Sequence, residues 1–168
     1  MGPRFRGDDK EGNCWQEIGM SHPDQDLCYT VTAEVAAPAR VAFDYLADGS
    51  RVGEWALGAL AAKRVGKSDL FESKEHGIAF RVDADAKRLV IDYHVGGSAN
   101  DLVMRIATRV IPGEAMGRGA GTCLVSMAAW RPKSFDDRRW SRLKGFHDAE
   151  IHLIREKIEA LGKTKPSS

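Results

Sequence analysis

His147 is the side chain in this sequence with the clearest capacity for acid–base chemistry. It lies on a stripe of apolar residues at helical spacing, with Leu143 four residues before it and Ile151 four residues after it. A neutral imidazole in such a place can act as a general base or donate a hydrogen bond to a ligand carbonyl. The alternative is a core histidine that bonds to a backbone carbonyl or to Tyr93.

Tyr93 is a second candidate, because it lies on the predicted strand 88–95 on a face that is otherwise apolar. Side chains alternate along a strand, so this face should point inward and place the phenol in an apolar space. The alternative is a packing aromatic with a satisfied hydroxyl. The expected inward residues of this strand are Leu89, Ile91, Tyr93 and Val95. Those of the preceding strand are Ile78, Phe80 and Val82.

Thr108 is a third polar group expected to face inward, although threonine is also a common strand former. On the predicted strand 102–111 the opposite register would bury Arg105 and Arg109. The inward face therefore consists of Leu102, Met104, Ile106, Thr108 and Val110. For the last strand, 122–130, both registers are open, and we prefer the more apolar face of Cys123, Val125, Met127 and Ala129 to that of Leu124, Ser126, Ala128 and Trp130.

The sequence gives little support for a metal site, a phosphate-binding loop or a hydrolase catalytic triad. His147 and Glu150 lie one helical turn apart and could share a cation, but His152 points about 140° away from His147 at roughly 100° per residue. The glycine-rich stretch 113–121 precedes a strand, so it is a hairpin loop and not a phosphate loop. No serine stands at a strand-to-helix elbow, as a hydrolase triad requires. We therefore predict no metal and no cofactor.

Composition points to one ordinary domain. The chain has 168 residues, 43% hydrophobic and 29% charged, and its formal net charge of +1 does not favour nucleic acid as a partner. Apolar runs stay below the roughly 20 residues of a membrane-spanning helix, so no integral membrane association is expected. Three cysteines without a short common spacing predict neither a disulfide framework nor a zinc site, and a cytoplasmic location is the simplest expectation.

Apolar periodicity is confined to the middle of the chain. Residues 1–27 are polar, with scattered glycine and proline, and are predicted to be a disordered leader, with Met20 as the hypothetical functional start. Residues 163–168 are predicted to be a flexible tail. The domain is therefore expected to span residues 28–162.

Most of the predicted strands follow one another without a helix between them, which suggests an α+β fold. A strand at 28–35 is followed by a helix that begins after Pro38 and by a helical turn at 51–55. A long helix at 134–161 ends the domain, with Ser134 at its start and Gly162 as its stop. Between them lie six strands joined by short turns, an antiparallel meander, at 60–65, 69–73, 78–82, 88–95, 102–111 and 122–130.

This order of elements is that of the helix-grip fold, and residues 37–55, APARVAFDYLADGSRVGEW, resemble the signature of the START-like (SRPBCC) superfamily. That superfamily includes birch-pollen-allergen-like proteins and polyketide cyclases. One departure is Gly49, which stands where proline is usual and is expected to loosen the turn. The matching positions are Ala37, Pro38, Ala42, Phe43, Leu46, Asp48 and Trp55.

The resemblance implies a curved sheet of about seven strands wrapped around the long helix, with an apolar cavity between them. It implies binding, carriage or sequestration of a small hydrophobic or aromatic molecule. The alternative is a polyketide cyclase/dehydratase-like enzyme with His147 or Tyr93 as the acid or base. The predicted ligand-binding residues are Phe80, Ile91, Tyr93, Met104, Ile106, Thr108, Met127, Trp140, Leu143 and His147.

A third possibility is a protein partner on the basic face of the last helix, or an anionic partner or headgroup near its N-terminal half, where Arg138, Arg139 and Arg142 cluster, although such charges usually only solvate an exposed face. The tryptophans Trp55, Trp130 and Trp140 either frame a cavity mouth or fill the core. The basic residues of and just before this helix are Arg131, Lys133, Arg138, Arg139, Arg142, Lys144, Arg155 and Lys157.

Overall fold

The structure is a computed structural model that describes residues 27–163. The predicted leader lies outside these residues apart from Leu27, and so does the predicted tail apart from Lys163. Met20 lies outside them as well. The described residues form an α+β fold of one sheet and two α-helices, as the sequence predicts.

The elements follow one another in the predicted order. The strands are β1 (Cys28–Val35), β2 (Lys63–Arg64), β3 (Leu70–Ser73), β4 (Ile78–Asp85), β5 (Val90–Gly96), β6 (Val103–Pro112) and β7 (Cys123–Trp130). The α-helices are α1 (Ala39–Ala47) and α2 (Asp137–Lys163). Short 3₁₀ segments cover Gly49–Glu54, Leu57–Ala59 and Gly113–Met116.

All seven strands join one antiparallel sheet in the order β1-β7-β6-β5-β4-β3-β2. From β2 to β7 each strand pairs with its neighbour along the chain, which confirms the predicted meander. β1 pairs with β7 along its whole length, with Cys28 opposite Trp130. The preferred register of β7 is confirmed, because the buried residues are Cys123, Val125, Met127 and Ala129.

Helix α2 buries the predicted stripe and is tied to the first strand. The Tyr29 hydroxyl donates to Asp148 Oδ1 at 2.6 Å, and the backbone amide of Ala36 donates to Glu159 Oε1 at 3.1 Å. These bonds join α2 to β1 and to the residue that follows it. The fully or almost fully buried residues of the stripe are Trp140, His147, Ile151, Ile154 and Ile158.

Both ends of α2 differ from the prediction. Asp136, and not Ser134, caps the helix, because its Oδ1 accepts from the amide of Arg139 at 2.7 Å. Gly162 does not stop the helix, which runs through Lys163. A Cβ on Gly162 would lie 3.5 Å from that of Ala37, so the glycine lies close to the connection after β1.

A β-bulge in β6 reverses the predicted facing of its first residues. Tyr93 pairs with Ile106, but His94 pairs with Met104, so Arg105 is an extra residue between the two pairs. An extra residue breaks the alternation of side chains along a strand. Met104 is consequently 37% exposed, and the prediction that it faces inward is wrong.

Gly49 does not loosen the turn after α1. Asp48 Oδ1 accepts from the amide and the hydroxyl of Ser50 at 2.9 and 2.6 Å. Gly49 itself is buried, and a Cβ there would lie 2.4 Å from the Phe71 ring. The missing side chain therefore lets the aromatic ring pack against the turn.

Candidate functional site

A cavity of about 450 Å³ lies between α2, strands β4 to β6 and the 3₁₀ segments after α1. Its inner wall is buried and largely apolar, and includes Val52, Trp55, Ala59, Phe80 and Tyr93. Its exposed lining residues mark the mouth and come from the β3–β4 turn, the β5–β6 turn and the start of α2. They include His76, Gly97, Asp101, Ser134 and Arg139.

His147 and Glu150 form a buried hydrogen-bonded pair in the wall of this cavity. They lie one turn apart on α2 and are 3% and 4% exposed. His147 Nδ1 is 2.7 Å from Glu150 Oε2, and Glu150 Oε1 accepts from the backbone amide of Leu57 at 2.7 Å. Each carboxylate oxygen therefore has its own partner, which offsets the cost of burying the charge.

This arrangement decides which nitrogen of His147 can meet a ligand. A carboxylate oxygen only accepts, so Nδ1 carries the proton of this hydrogen bond, and Nε2 is an acceptor in the neutral form of the ring. Nε2 is buried and has no hydrogen-bond partner within residues 27–163. The indole nitrogen of Trp55, another lining residue, is buried without a partner in the same range. Two lining residues thus each carry a buried polar nitrogen without a partner in the described range.

Tyr93 contributes its ring to the cavity, while its hydroxyl is already engaged. The hydroxyl donates to the backbone carbonyl of Leu46 at 2.8 Å, and Trp55 packs edge-on against the ring at 5.8 Å between centroids. Burial strongly raises the pKa of the Tyr93 phenol, and the neighbouring Tyr45 raises it further. This environment favours His147 over Tyr93 as the acid–base group.

Three arginines line the outer part of the cavity. Arg139 and Arg142 lie on the first turns of α2, and Arg105 is the extra residue of the β6 bulge. The Nε of Arg105 is buried and has no partner among residues 27–163. Burial lowers the pKa of the Arg105 guanidinium, and the charge of Arg139 lowers it further, while Asp101 opposes the shift.

The structure brings together half of the predicted ligand-binding residues. Phe80, Tyr93, Ile106, Leu143 and His147 line the cavity. Four more predicted residues are buried elsewhere in the domain, and Met104 is exposed. The buried four are Ile91, Thr108, Met127 and Trp140. Of the tryptophans, Trp55 lines the cavity and Trp130 is partly exposed.

The predicted ligand-binding set left out the charged lining residues Glu150, Arg105, Arg139 and Arg142, although the basic cluster in the sequence allowed an anionic partner at Arg139 and Arg142. The i to i+3 spacing of His147 and Glu150 was a usable signal, since it places both on one helix face. The bulge that brings Arg105 inward has no such signal, because it arises from pairing between strands.

The described residues show neither a metal centre nor a membrane span. Within 27–163, no three His, Cys, Asp or Glu side chains are placed to hold an ion. Neither helix in this range has the length and apolar character needed to cross a membrane. Two free cysteines are described, the exposed Cys28 and the buried Cys123, and burial raises the pKa of the Cys123 thiol to about 11.

The fold is shared with many solved structures at low sequence identity. The Zhui aromatase/cyclase from a Streptomyces species is 15% identical and superimposes with a TM-score of 0.56, covering 79% of this chain and 93% of its own. A Thermobifida fusca protein solved by NMR is 18% identical, with a TM-score of 0.58 over 80% of this chain and 94% of its own. Ara h 8.0201 is 10% identical, with a TM-score of 0.52 over 79% of this chain and 97% of its own.

Sequence comparison adds no relative. The chain matches no family model and no curated protein. The structural likeness nevertheless confirms the helix-grip fold that the sequence predicts, with an aromatase/cyclase among the proteins of the same architecture. Likeness at these identities establishes architecture alone, because one fold hosts many activities.

Proposed function

We propose that this protein binds a small hydrophobic or aromatic molecule in the cavity between its sheet and α2, with His147 as an orienting hydrogen-bond acceptor. The observation that carries the proposal is a cavity of about 450 Å³ lined by His147, whose ring is held by Glu150 and whose buried Nε2 has no hydrogen-bond partner among residues 27–163. Ligand pockets of about 300–1,000 Å³ with few polar groups on apolar walls are typical of small-molecule sites.

Affinity in such a site comes mainly from apolar burial. The walls include Phe80, Tyr93 and Trp55, which supply aromatic faces for a planar ligand. Burial is worth roughly 25 cal/mol per Å² of apolar surface removed from water. A single hydrogen bond to His147 adds only about 1 kcal/mol and serves to orient the ligand.

The neutral fluorophore N-phenylnaphthylamine tests whether the cavity is the binding site. The variant Ile106→Trp fills the cavity from β6, and the control Val103→Trp adds the same bulk at a position on the same strand that is 52% exposed. We expect wild-type protein and Val103→Trp to bind the fluorophore and Ile106→Trp to lose at least about tenfold in affinity. Equal binding by both variants, with native circular dichroism, would contradict the proposal.

Mass spectrometry can identify the natural ligand. Protein purified from its source host is measured under native conditions, and the retained molecules are then extracted under denaturing conditions and identified. We expect an apolar or aromatic compound of one dominant mass. The proposal retains the sequence-based prediction of a cytoplasmic location, which stays a prediction.

A second candidate function is proton-transfer catalysis of the cyclase or dehydratase kind. The observation that favours it is the Glu150–His147 pair, because Glu150 holds the proton on Nδ1 and leaves Nε2 as a base. Enzymes position a histidine with a carboxylate in this way in other catalytic sites. The aromatase/cyclase among the similar structures is consistent with this function but does not establish it.

The variants His147→Ala and Glu150→Gln separate the two functions. A glutamine amide at position 150 can donate to Nδ1, which moves the ring proton to Nε2 and turns this acceptor into a donor. For an enzyme we expect both variants to lose turnover of a defined substrate. For a binding protein we expect His147→Ala to change affinity only about fivefold, the equivalent of one hydrogen bond.

A further inference from the structure

The mouth of the cavity carries three arginines and, within residues 27–163, one carboxylate, that of Asp101. Arg105, Arg139 and Arg142 all line it, and no ion pair joins any of them to a carboxylate within residues 27–163. Other arginines of the described range do have such partners, for example Arg118 with Glu34 at 2.8 Å. These three guanidinium groups line the part of the cavity where a ligand would enter.

The two carboxylates that line the cavity are both used elsewhere. Asp101 accepts from the amides of Gly97 and Ser98 at 3.0 and 2.6 Å, which holds the β5–β6 turn together. Glu150 is bonded to His147 and to the Leu57 amide. Neither carboxylate has an oxygen within ion-pair distance of Arg105.

Arg105 and Arg139 both lie against the ring of Phe135. Their guanidinium carbons lie 5.5 and 4.5 Å from the centroid of Phe135. A guanidinium stacked on an aromatic face is oriented and keeps its N–H groups available at its edge. Two like charges in a partly buried place repel each other, and an anion between them would relieve this repulsion.

We propose that the ligand of this cavity carries an oxyanion group, a carboxylate or a phosphate, that Arg105 and Arg139 bind at the mouth while its apolar body extends toward His147. This inference rests on the proposed function. Planar guanidinium groups match the oxygens of both anions in bidentate geometry. Arg139 and His147 are eight residues apart on α2, about 12 Å along the helix axis at 1.5 Å per residue, which sets the length of the ligand.

Two fluorophores that differ by one anionic group test the proposal. Anilinonaphthalene sulfonate is N-phenylnaphthylamine with an added sulfonate, so the neutral compound reports the cavity and the charged one reports the mouth. We expect wild-type protein to bind the sulfonate compound more tightly. Arg105→Gln and Arg139→Gln should each weaken its binding roughly tenfold or more and leave the neutral compound unchanged.

Arg109→Gln is the matched control, because Arg109 is exposed on the same strand and does not line the cavity. We expect it to leave the binding of both fluorophores unchanged. Equal loss in Arg109→Gln and Arg105→Gln would show a general charge effect and overturn the specific site. Unchanged binding of the sulfonate compound in Arg105→Gln and Arg139→Gln would overturn it as well.

The outcomes distinguish this inference from the proposed function. If the neutral fluorophore binds in the cavity and the sulfonate adds nothing, the cavity proposal stands and the oxyanion inference is wrong. If neither fluorophore binds, both proposals are wrong. Competition against the bound fluorophore by naphthoate and naphthyl phosphate then shows which oxyanion is preferred, and equal competition by neutral naphthamide would overturn the inference.

Discussion

The two ends of the cavity differ in whether their buried polar groups have partners in the described chain. At the inner end, both oxygens of Glu150 have partners in the chain, one on His147 and one on Leu57. At the mouth, Arg105 has a buried Nε without a partner in residues 27–163 and a like charge nearby. At the inner end only two nitrogens of the described residues lack partners, Nε2 of His147 and Nε1 of Trp55, whereas at the mouth no carboxylate of residues 27–163 forms an ion pair with Arg105.

This difference indicates that the inner end is preorganised by the chain, whereas the mouth serves to recognise a ligand. A group whose partners are all in the chain keeps its geometry with or without a ligand, so it can hold His147 in one tautomer. A charged group without a partner destabilises the fold slightly and gains stability when an anion binds. Variants at the two ends should therefore differ in what they change, stability at the inner end and affinity at the mouth.

Glu150→Ala should have the largest effect on stability. It leaves the Leu57 amide and His147 Nδ1 buried without partners, so we expect the free energy of unfolding to fall by about 2–4 kcal/mol. Urea unfolding followed by circular dichroism measures this change. Glu156→Ala, at an exposed position of the same helix, is the control and should change stability by less than about 0.5 kcal/mol. A similar loss in both variants would remove the distinction between the two ends.

Tyr93→Phe should have an intermediate effect. It removes the hydroxyl that donates to the Leu46 carbonyl and leaves this carbonyl without that donor, so we expect a loss of about 1–2 kcal/mol in urea unfolding. Binding of N-phenylnaphthylamine should be unchanged, since the ring remains. The control Tyr29→Phe removes a more exposed bond to Asp148 and should cost less than about 0.5 kcal/mol. Loss of binding in Tyr93→Phe would instead give the hydroxyl a direct role in the ligand site.

Arg105→Gln should have the smallest effect on stability. The variant removes a partly buried charge that has no ion-pair partner in the part of the chain that the structure describes, so we expect the free energy of unfolding to stay within about 0.5 kcal/mol of wild type or to rise. The same urea titration measures it. A loss of more than about 1 kcal/mol would show that Arg105 stabilises the fold and would weaken its assignment to ligand recognition.

Most of the fold could be predicted because its signals are local. Strands β1, β5 and β7 and helix α2 were predicted from patterns that involve only residues a few positions apart. The burial of these elements confirms the predicted inward faces, including that of His147. The cavity residues Phe80, Tyr93, Ile106 and Leu143 followed from the same periodicity. Each of these predictions needed only the period of its own element.

The predictions that were wrong depended on contacts between elements. Met104 is exposed because the pairing of β6 with β5 inserts Arg105, and regular alternation along β6 alone cannot show this. Ile91 and Met127 face inward as predicted, yet the cavity does not reach them. Facing the interior is a property of one strand, whereas lining a cavity depends on where the opposite wall stands.

The sequence by itself determined the order of elements, the helix-grip architecture and the placement of His147 on the inner face of α2. Tertiary structure alone decided the chemistry of that histidine, because the amide of Leu57, 93 residues before Glu150, holds the carboxylate that sets its tautomer. It likewise decided that Arg105 and Arg139 both lie against Phe135 at the mouth. Periodicity is written into neighbouring residues, while hydrogen-bond partners and unpaired charges arise only when distant segments meet.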